Sequence, residues 1–181
     1  MNIFTESYVT CIRRDLKEPK FYTGHTNGKI IEWEYSTVPI QKGDNILNVT
    51  IKKNMIAHYS SVVLIEINSR HRLIISYGEE GTIIMRKQST FEVMNVYRVI
   101  NDNIVSDICF NEDDLIYITL YDPTRMLFTI YGATINFLIF QKIKHSSFLP
   151  IQFENVKNEI IYTNGDEIFV LRLSQIIINN L

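Results

Sequence analysis

The stretch Cys11–Trp33, CIRRDLKEPKFYTGHTNGKIIEW, decides the fold because it returns without a gap as Leu64–Arg86, LIEINSRHRLIISYGEEGTIIMR. When the two stretches are aligned, residues of the same kind share a position. The apolar pairs are Ile12 with Ile65, Phe21 with Ile74 and Ile30-Ile31 with Ile83-Ile84, the hydroxyl pair is Thr23 with Ser76, and the turn glycines are Gly28 and Gly81. Each copy consists of an apolar run, a polar turn, a second run, a turn ending in Gly and a third run. This order predicts consecutive antiparallel strands.

Two further units follow the same order. One is SDICFNEDDLIYITLYDPTRMLFTIY, residues 106–131, and the other is PIQFENVKNEIIYTNGDEIFVLRL, residues 150–173. The spacing of about 45 residues lies in the range of propeller blades. We therefore predict an all-β, partial β-propeller of about four blades of antiparallel strands, with approximate bounds at 1–50, 51–100, 101–147 and 148–181.

Strands are expected wherever β-prone residues run between turn residues. The expected strands are Val9–Arg13, Lys20–Thr23, Lys29–Tyr35, Val62–Ile67, Arg72–Ser76, Thr82–Lys87, Ile104–Phe110, Leu115–Leu120, Met126–Tyr131, Asn136–Gln141, Pro150–Phe153, Glu159–Tyr162 and Glu167–Leu173. Several of these runs are continuously apolar, which predicts that both faces of the sheet are covered.

The amino-acid composition is that of an all-β chain, and it argues against two classes of protein, helical bundles and nucleic-acid binders that act through bulk positive charge. The 181 residues include thirty Ile, ten Tyr and ten Phe but only two Ala, which excludes a helical bundle. With 18 basic and 20 acidic side chains, the chain has no basic excess for nucleic acid. Two isolated cysteines and no long apolar run predict a cytoplasmic protein that does not insert directly into a membrane.

Two segments resemble a known family. YTGHTNGKIIEW (22–33) and ISYGEEGTIIMR (75–86) are similar to the second and third strands of WD repeats, and the longer AHYSSVVLIEINSRHRLIISYGEEGTIIMR (57–86) covers most of one repeat. More narrowly, FYTGHTNGKIIEW (21–33) and EEGTIIMRKQSTFEVMNVYRVI (79–100) resemble the C-terminal WD repeats of BEACH-domain proteins. The likeness is clear for residues 8 to 100 and weak beyond them.

The resemblance implies a structural network rather than a reactive site. In a WD repeat, an opening His, a second-strand Ser or Thr, a turn Asp and a third-strand Trp are joined by hydrogen bonds. The second unit places His58 and Ser76 at the first two positions, Glu80 where Asp is usual, and Arg86 where Trp is usual.

The first unit matches the same network in part. It supplies Thr23, Asn27 and Trp33, but Glu6 or Ser7 stands where the His should be. His25 lies in the turn before the third strand, so its expected role is local turn chemistry outside the buried network. Trp33 ends an apolar strand, which favours a packed core or blade-interface residue over a ligand-stacking one.

We find no pattern for catalysis, cofactors or metals in the sequence. The four His residues are scattered without metal-ligand spacing, and no P-loop, GxSxG or dinucleotide motif occurs. Glu112-Asp113-Asp114 is interpreted as a solvated hairpin turn, since the ligand spacing of a calcium loop is absent. The short groups Arg13-Arg14, Lys52-Lys53 and Arg70-His71-Arg72 are interpreted as solvated faces, with a patch for anionic lipid or a phosphopeptide as the alternative.

The resulting interpretation is a non-enzymatic protein-interaction scaffold. The BEACH resemblance implies a cytoplasmic membrane-trafficking protein, peripheral to membranes, whose partners are other proteins, among them a BEACH domain or further WD blades. One alternative is a structural subunit that completes a propeller in a larger complex, since closed WD rings usually hold more than about four blades. The other is a propeller-based enzyme in which Glu79, Glu80 or Asp122 converge at a central channel.

Overall fold

The computed structural model describes residues 7–39, 45–99, 103–110, 114–134, 139–145, 155–156, 159–164 and 167–172. In these residues the chain forms fifteen strands in four antiparallel sheets and no helix, as the composition predicts. The described residues accordingly include no helix that is long and apolar enough to cross a membrane. The chain divides into two compact units, residues 1–98 and 99–181.

The first sheet has the order β1-β2-β3-β4, with β1 Val9–Arg14, β2 Lys20–His25, β3 Lys29–Pro39 and β4 Asn45–Ile56. The last β2–β3 pair is Lys20 with Glu34, yet β3 and β4 stay paired as far as Pro39 with Asn45. Tyr35 still donates its N–H to the Pro19 carbonyl at 2.9 Å, so the β3–β4 hairpin projects beyond the sheet as a two-stranded arm of residues 36–39 and 45–48. Strand β4 also runs across the expected blade boundary between residues 50 and 51.

The second sheet has the order β5-β6-β7-β8, with β5 Val62–Asn68, β6 Leu73–Gly78, β7 Thr82–Lys87 and β8 Val93–Arg98. Strands β4 and β8 were not expected from the sequence. Both are outer strands whose described side chains are mostly exposed, so polar residues such as Asn48 and Asn95 interrupt the apolar pattern.

The second unit contains the remaining two sheets. The third sheet has the order β12-β11-β10-β9, with β9 Ile104–Phe110, β10 Ile116–Asp122, β11 Leu127–Ala133 and β12 Ile139–His145. The fourth sheet pairs β13 Asn155–Val156, β14 Glu159–Asn164 and β15 Glu167–Arg172 in that order. The strand expected over Asn136–Gln141 begins at Ile139, and the one expected over Pro150–Phe153 lies outside the described residues, as does the turn Glu112-Asp113.

An apolar core joins the first two sheets. It is formed by six buried residues, Tyr22, Ile30, Ala57, Val62, Ile65 and Ile74, and strands β1 and β2 pack on β5. Strand β6 is buried at every position, so the continuous apolar run in Leu73–Gly78 does face neighbours on both sides. In the second unit, residues Ile116 to Leu120 of β10 are buried in the same way.

Candidate functional site

His58 is the centre of a polar cluster within the second sheet. It lies just before β5 and is only 3% exposed. Its Nδ1 contacts the carboxylate of Glu80 in the β6–β7 turn, and its Nε2 lies 2.8 Å from Ser76 Oγ in β6. The structure thus brings together three of the four residues that the resemblance assigned to this unit, and Arg86 is the exception.

Protonation states in this cluster follow from its geometry. Burial opposes the charge on Glu80, but hydrogen bonds from Ser60, Thr82 and His58 outweigh it and lower the pKa of Glu80 to about 2. Burial is also the largest influence on His58 and lowers its pKa despite the nearby carboxylate. A neutral His58 facing an ionised Glu80 must donate its Nδ1–H, which leaves Nε2 to accept the hydroxyl hydrogen of Ser76.

Two hydroxyl residues extend this cluster, and the sequence comparison had not singled out either of them. Ser60 donates to Glu80 Oε2 and accepts the Glu80 N–H at 2.8 Å, while Thr82 Oγ1 donates to Glu80 Oε1. The Glu80 side chain, which is one methylene longer than Asp, therefore contacts the opening histidine that the turn Asp of a WD repeat would contact. A Ser two residues after an opening His and a Thr after the turn Gly are the available sequence signals, but both are common turn residues.

Arg86 takes the position that is usually Trp, and it donates a hydrogen bond to a backbone carbonyl, whereas the Ser76 hydroxyl is bonded to His58. The guanidinium is buried, 6% exposed, and Nη2 donates to the carbonyl of Ala57 at 2.9 Å. Ala57 immediately precedes His58, and its N–H in turn donates to Gly28 at 2.8 Å. The Arg86 hydrogen bond thus links β7, the third strand of the second repeat, to residue 57 at the beginning of that repeat.

The first sheet has a corresponding cluster, but its histidine lies at the end of the second strand instead of before the first strand. Trp33 Nε1 donates to Thr23 Oγ1 at 2.8 Å, and Thr23 Oγ1 lies 2.9 Å from His25 Nε2. His25 is buried, and desolvation lowers its pKa, which favours a neutral ring whose Nε2 shares a hydrogen bond with the Thr23 hydroxyl. The interpretation of His25 as a turn residue outside the buried network is therefore wrong, because β2 continues through it and turns its ring toward Thr23.

Asn27 does not join Trp33 and Thr23. It is exposed in the β2–β3 turn, where its side-chain oxygen accepts the Lys29 N–H at 3.3 Å. The turn itself depends on Gly28, which has a φ of 76° and donates to the His25 carbonyl at 3.1 Å. Asn27 thus serves the turn, and the expected pairing with the third-strand Trp is made by Thr23 alone.

A third polar cluster, which sequence reasoning missed, joins the two sheets of the first unit at Asp15. Its buried carboxylate accepts from Ser69 Oγ at 2.7 Å and Gln88 Nε2 at 2.6 Å, which directly follow strands β5 and β7 of the second sheet. It also accepts the backbone N–H of Lys17 at 2.9 Å and of Glu18 at 3.3 Å. Burial raises the pKa of Asp15, but these hydrogen bonds together lower it below its usual value.

Acid titration tests the Glu80 cluster. The carboxyl has a usual pKa of 4.5 and a folded value of about 2, so it stabilises the fold fully above pH 4.5 and less as pH falls towards 2. We expect the free energy of unfolding to drop by about 1–2 kcal/mol through this window, after allowance for the partial exposure of Glu80. Chemical denaturation at several pH values measures it.

The matched controls for this titration are adjacent residues. Glu80→Gln is expected to remove that part of the pH dependence, whereas Glu79→Gln, at an exposed turn position, should leave the wild-type profile unchanged. Equal profiles for wild type and Glu80→Gln would contradict the assigned role of the Glu80 carboxylate.

The acids considered for an enzyme lie in the β6–β7 turn and at the end of β10. Glu80 is held in the His58 cluster, and Glu79 is exposed in the same turn. Asp122 lies at the end of β10, where its carboxylate accepts from the N–H groups of Thr124 at 3.0 Å and Arg125 at 3.1 Å. Over the described residues, no group of three or more His, Cys, Asp or Glu side chains is arranged to hold a metal ion.

The fold is shared with solved WD40 structures, although no family model and no curated protein matches the chain. The RRP9 WD40 repeats match with a TM-score of 0.53 and 15% sequence identity, over 75% of this chain and 38% of that chain. U3-55K matches with a TM-score of 0.64 and 13% identity, over 91% of this chain and 49% of that chain. The chain thus spans less than half the length of either structure. At these identities the likeness concerns the fold: this chain is a partial β-propeller of WD-type blades.

Proposed function

We propose that this chain is a non-enzymatic scaffold that binds other proteins. The observation that carries the proposal is the β3–β4 arm, which projects beyond the first blade. Its exposed apolar residues include Val38, Ile46 and Leu47, at 48%, 56% and 59% exposure. Contiguous apolar residues on a projecting hairpin are typical of a protein-binding surface.

The buried polar clusters support the same proposal. His58, Glu80 and Asp15 each bond to side chains of their own or the neighbouring blade, and we propose that they form the structural network of a WD-type repeat. Side chains engaged in this way hold the blades in register, and partner choice then depends on surface shape.

A narrower proposal concerns the cellular setting. We propose a cytoplasmic scaffold of the BEACH type, peripheral to membranes and active in membrane trafficking, with a BEACH domain or further WD blades among its partners. This narrower proposal rests on the likeness of FYTGHTNGKIIEW and EEGTIIMRKQSTFEVMNVYRVI to BEACH-associated repeats. Its probe is a purified BEACH domain, which should bind the full chain in the micromolar range. The absence of binding would contradict the narrower proposal alone.

Partner capture with an arm variant tests the scaffold proposal. Val38 and Ile46 are directly paired across the arm, so Val38→Lys with Ile46→Lys places two charges on one side of it. We expect this variant to capture at least one protein roughly fivefold less than wild type does, because charges oppose burial of the arm. Quantitative mass spectrometry measures the capture, and rebinding of the purified partner verifies it.

The control for partner capture is Leu16→Lys, which adds a charge at an 86% exposed residue of the β1–β2 turn. It should capture the same proteins as wild type. Identical capture profiles for the wild type and the arm variant would overturn the arm as the binding surface. Turnover that is lost on changing Glu79 or Asp122 would overturn the non-enzymatic assignment.

A further inference from the structure

The β2–β3 turn contains an asparagine that is followed directly by a glycine, Asn27-Gly28. Asn27 is exposed to water, and Gly28 has no side chain to shield its own backbone nitrogen. Asparagine is a thermolabile residue because the next backbone nitrogen can attack its side-chain carbonyl carbon, and a following glycine leaves that nitrogen most accessible. The sequence repeats this dipeptide only at Asn164-Gly165, where Gly165 lies outside the described residues.

The turn brings the reacting groups of this dipeptide together. The Asn27 side-chain oxygen accepts the Lys29 N–H at 3.3 Å, a bond from an asparagine to the backbone two residues further on. Such a bond folds the carboxamide back over the intervening peptide, which brings Cγ of Asn27 towards the Gly28 nitrogen. The Lys29 N–H also donates to the oxygen on which negative charge develops during attack, and a donor at that place stabilises the charge.

Hydrogen bonds of the fold restrain the same reaction. The Gly28 N–H donates to the His25 carbonyl at 3.1 Å. The Gly28 carbonyl accepts the N–H groups of Ala57 at 2.8 Å and His58 at 3.1 Å. The nitrogen attacks only after its proton has left, and a backbone proton held in a hydrogen bond leaves only when the structure opens locally. The reaction therefore depends on how often this turn opens.

Two other asparagines of the first unit lack one of the two features that Asn27 combines. Asn54 in β4 is exposed, but Met55 follows it and it is paired in the β3–β4 ladder. Asn68 is followed by the small residue Ser69, but it is only 5% exposed, and its side-chain oxygen accepts two backbone N–H groups at 3.0 and 2.9 Å. Within the described residues 7–98, exposure and a following glycine coincide at Asn27.

We propose that Asn27 is a site of spontaneous deamidation, with water as the only co-reactant. A base in the solvent takes the Gly28 amide proton, and the Gly28 nitrogen forms a bond to Cγ of Asn27. The Cγ–Nδ2 bond breaks, and Nδ2 leaves as ammonia after it has taken a proton from water. The resulting cyclic imide joins residues 27 and 28. Water then adds to one imide carbonyl and breaks its bond to the nitrogen, which leaves an aspartate or an isoaspartate at position 27.

The two products have different consequences for the turn. An aspartate keeps the length of the main chain, and its carboxylate still accepts the Lys29 N–H. An isoaspartate adds a methylene to the main chain beside Gly28, where even a Cβ would meet the carbonyls of His58 and Ser60. The added length displaces the Gly28 carbonyl from the N–H groups of Ala57 and His58. Isoaspartate formation thus loosens the contact between the β2–β3 turn and the segment that precedes β5, and it does so irreversibly.

Peptide mapping of the full chain by mass spectrometry tests the proposal. The wild type is incubated for several days at mildly alkaline pH, and isoaspartate is detected with an isoaspartyl methyltransferase. We expect conversion at Asn27 to be at least roughly tenfold faster than at Asn54, because only glycine leaves the attacking nitrogen open. In urea, conversion at Asn27 should be roughly tenfold faster again than in the native protein, because the unfolded chain has no closed turn.

The matched variant for this measurement is Asn27→Gln. It keeps an exposed amide at the turn, but its longer side chain needs a larger ring for the same attack, so conversion at position 27 should disappear. Equal conversion at Asn27 and Asn54 in the native protein would overturn the proposal. So would a native protein whose Asn27 peptide stays unmodified while the same peptide converts in urea. A native rate above the rate in urea would contradict the dependence on opening.

The stability of the modified protein provides a second readout. The isoaspartate form, separated by ion exchange, should unfold at a lower urea concentration than the wild type. Asn27→Asp introduces the same charge without the added methylene and should unfold at the wild-type concentration. Equal midpoints for the isoaspartate form and Asn27→Asp would show that the longer main chain does not disturb Gly28. Purified protein alone is used, so these results are independent of partner capture by the arm.

Discussion

Gly28→Ala is expected to destabilise the protein by about 3–4 kcal/mol, whereas Gly81→Ala should do so by only about 1 kcal/mol. The two glycines occupy equivalent turns, with φ values of 76° and 82°. Strain from an L side chain at positive φ is therefore common to both replacements.

The difference arises from what surrounds each glycine. A Cβ at Gly28 would lie 2.8 Å from the carbonyl carbon of His58 and 2.9 Å from the Ser60 carbonyl oxygen, and still closer to the His58 oxygen. At Gly81 the same atom would meet nothing within 4 Å. Because the obstruction at Gly28 is backbone, the segment that carries His58 must move, which also weakens the bonds that Gly28 accepts from Ala57 and His58.

Urea denaturation of the two variants measures the difference. The free energies of unfolding of the two variants are expected to differ by about 2–3 kcal/mol. Because the strain of positive φ is common to both, this difference measures the cost of the close backbone contact at Gly28. If both variants lose the same stability, the approach of the β2–β3 turn to the His58 segment is not as tight as the structure shows.

His58→Ala is expected to be the second strongly destabilising change, by about 3 kcal/mol. The replacement removes a buried ring and leaves both the Glu80 carboxylate and the Ser76 hydroxyl with fewer partners. The bond from Nδ1–H to an ionised carboxylate is the stronger of the two, since hydrogen bonds to charged groups contribute more than neutral ones. Ser76→Ala, which removes only the neutral bond, should therefore lower stability by about 1 kcal/mol.

A double-mutant cycle checks the assignment. His58→Ala and Glu80→Gln remove the two ends of one interaction, so their combined effect should be smaller than the sum of the single effects by about 1–2 kcal/mol. His71→Ala, at an exposed residue, serves as the control and should change stability by less than about 0.5 kcal/mol. Strict additivity of His58→Ala and Glu80→Gln would show that the two residues do not act as a pair.

Several features of the fold follow from local sequence patterns. The repeat of residues 11–33 over 64–86 predicts β1–β3 and β5–β7 closely, because buried strands and Gly turns leave strong local patterns. Strands β4 and β8 leave weaker local patterns in the sequence. They are outer strands, and an outer strand with polar residues pairs because its neighbour is already in place.

The polar clusters were predictable only in part. His58, Ser76 and Glu80 match a spaced pattern, but Asp15 contacts Gln88 from another blade, across a separation in sequence that no local pattern marks. Arg86 is similar, since nothing near it in the chain indicates that a buried guanidinium has the Ala57 carbonyl as its partner.

By itself the sequence determined that this protein consists of repeated antiparallel strands with glycine turns, because strand propensity and positive φ are local properties. Tertiary structure alone decided which faces of those strands are covered. Ile12 and Ile65 occupy the same place in the repeat, yet one is 65% exposed and the other 6%. Their difference is physical: the first blade covers Ile65, whereas within residues 7–98 Ile12 stays exposed, and burial depends on the neighbour rather than on the residue.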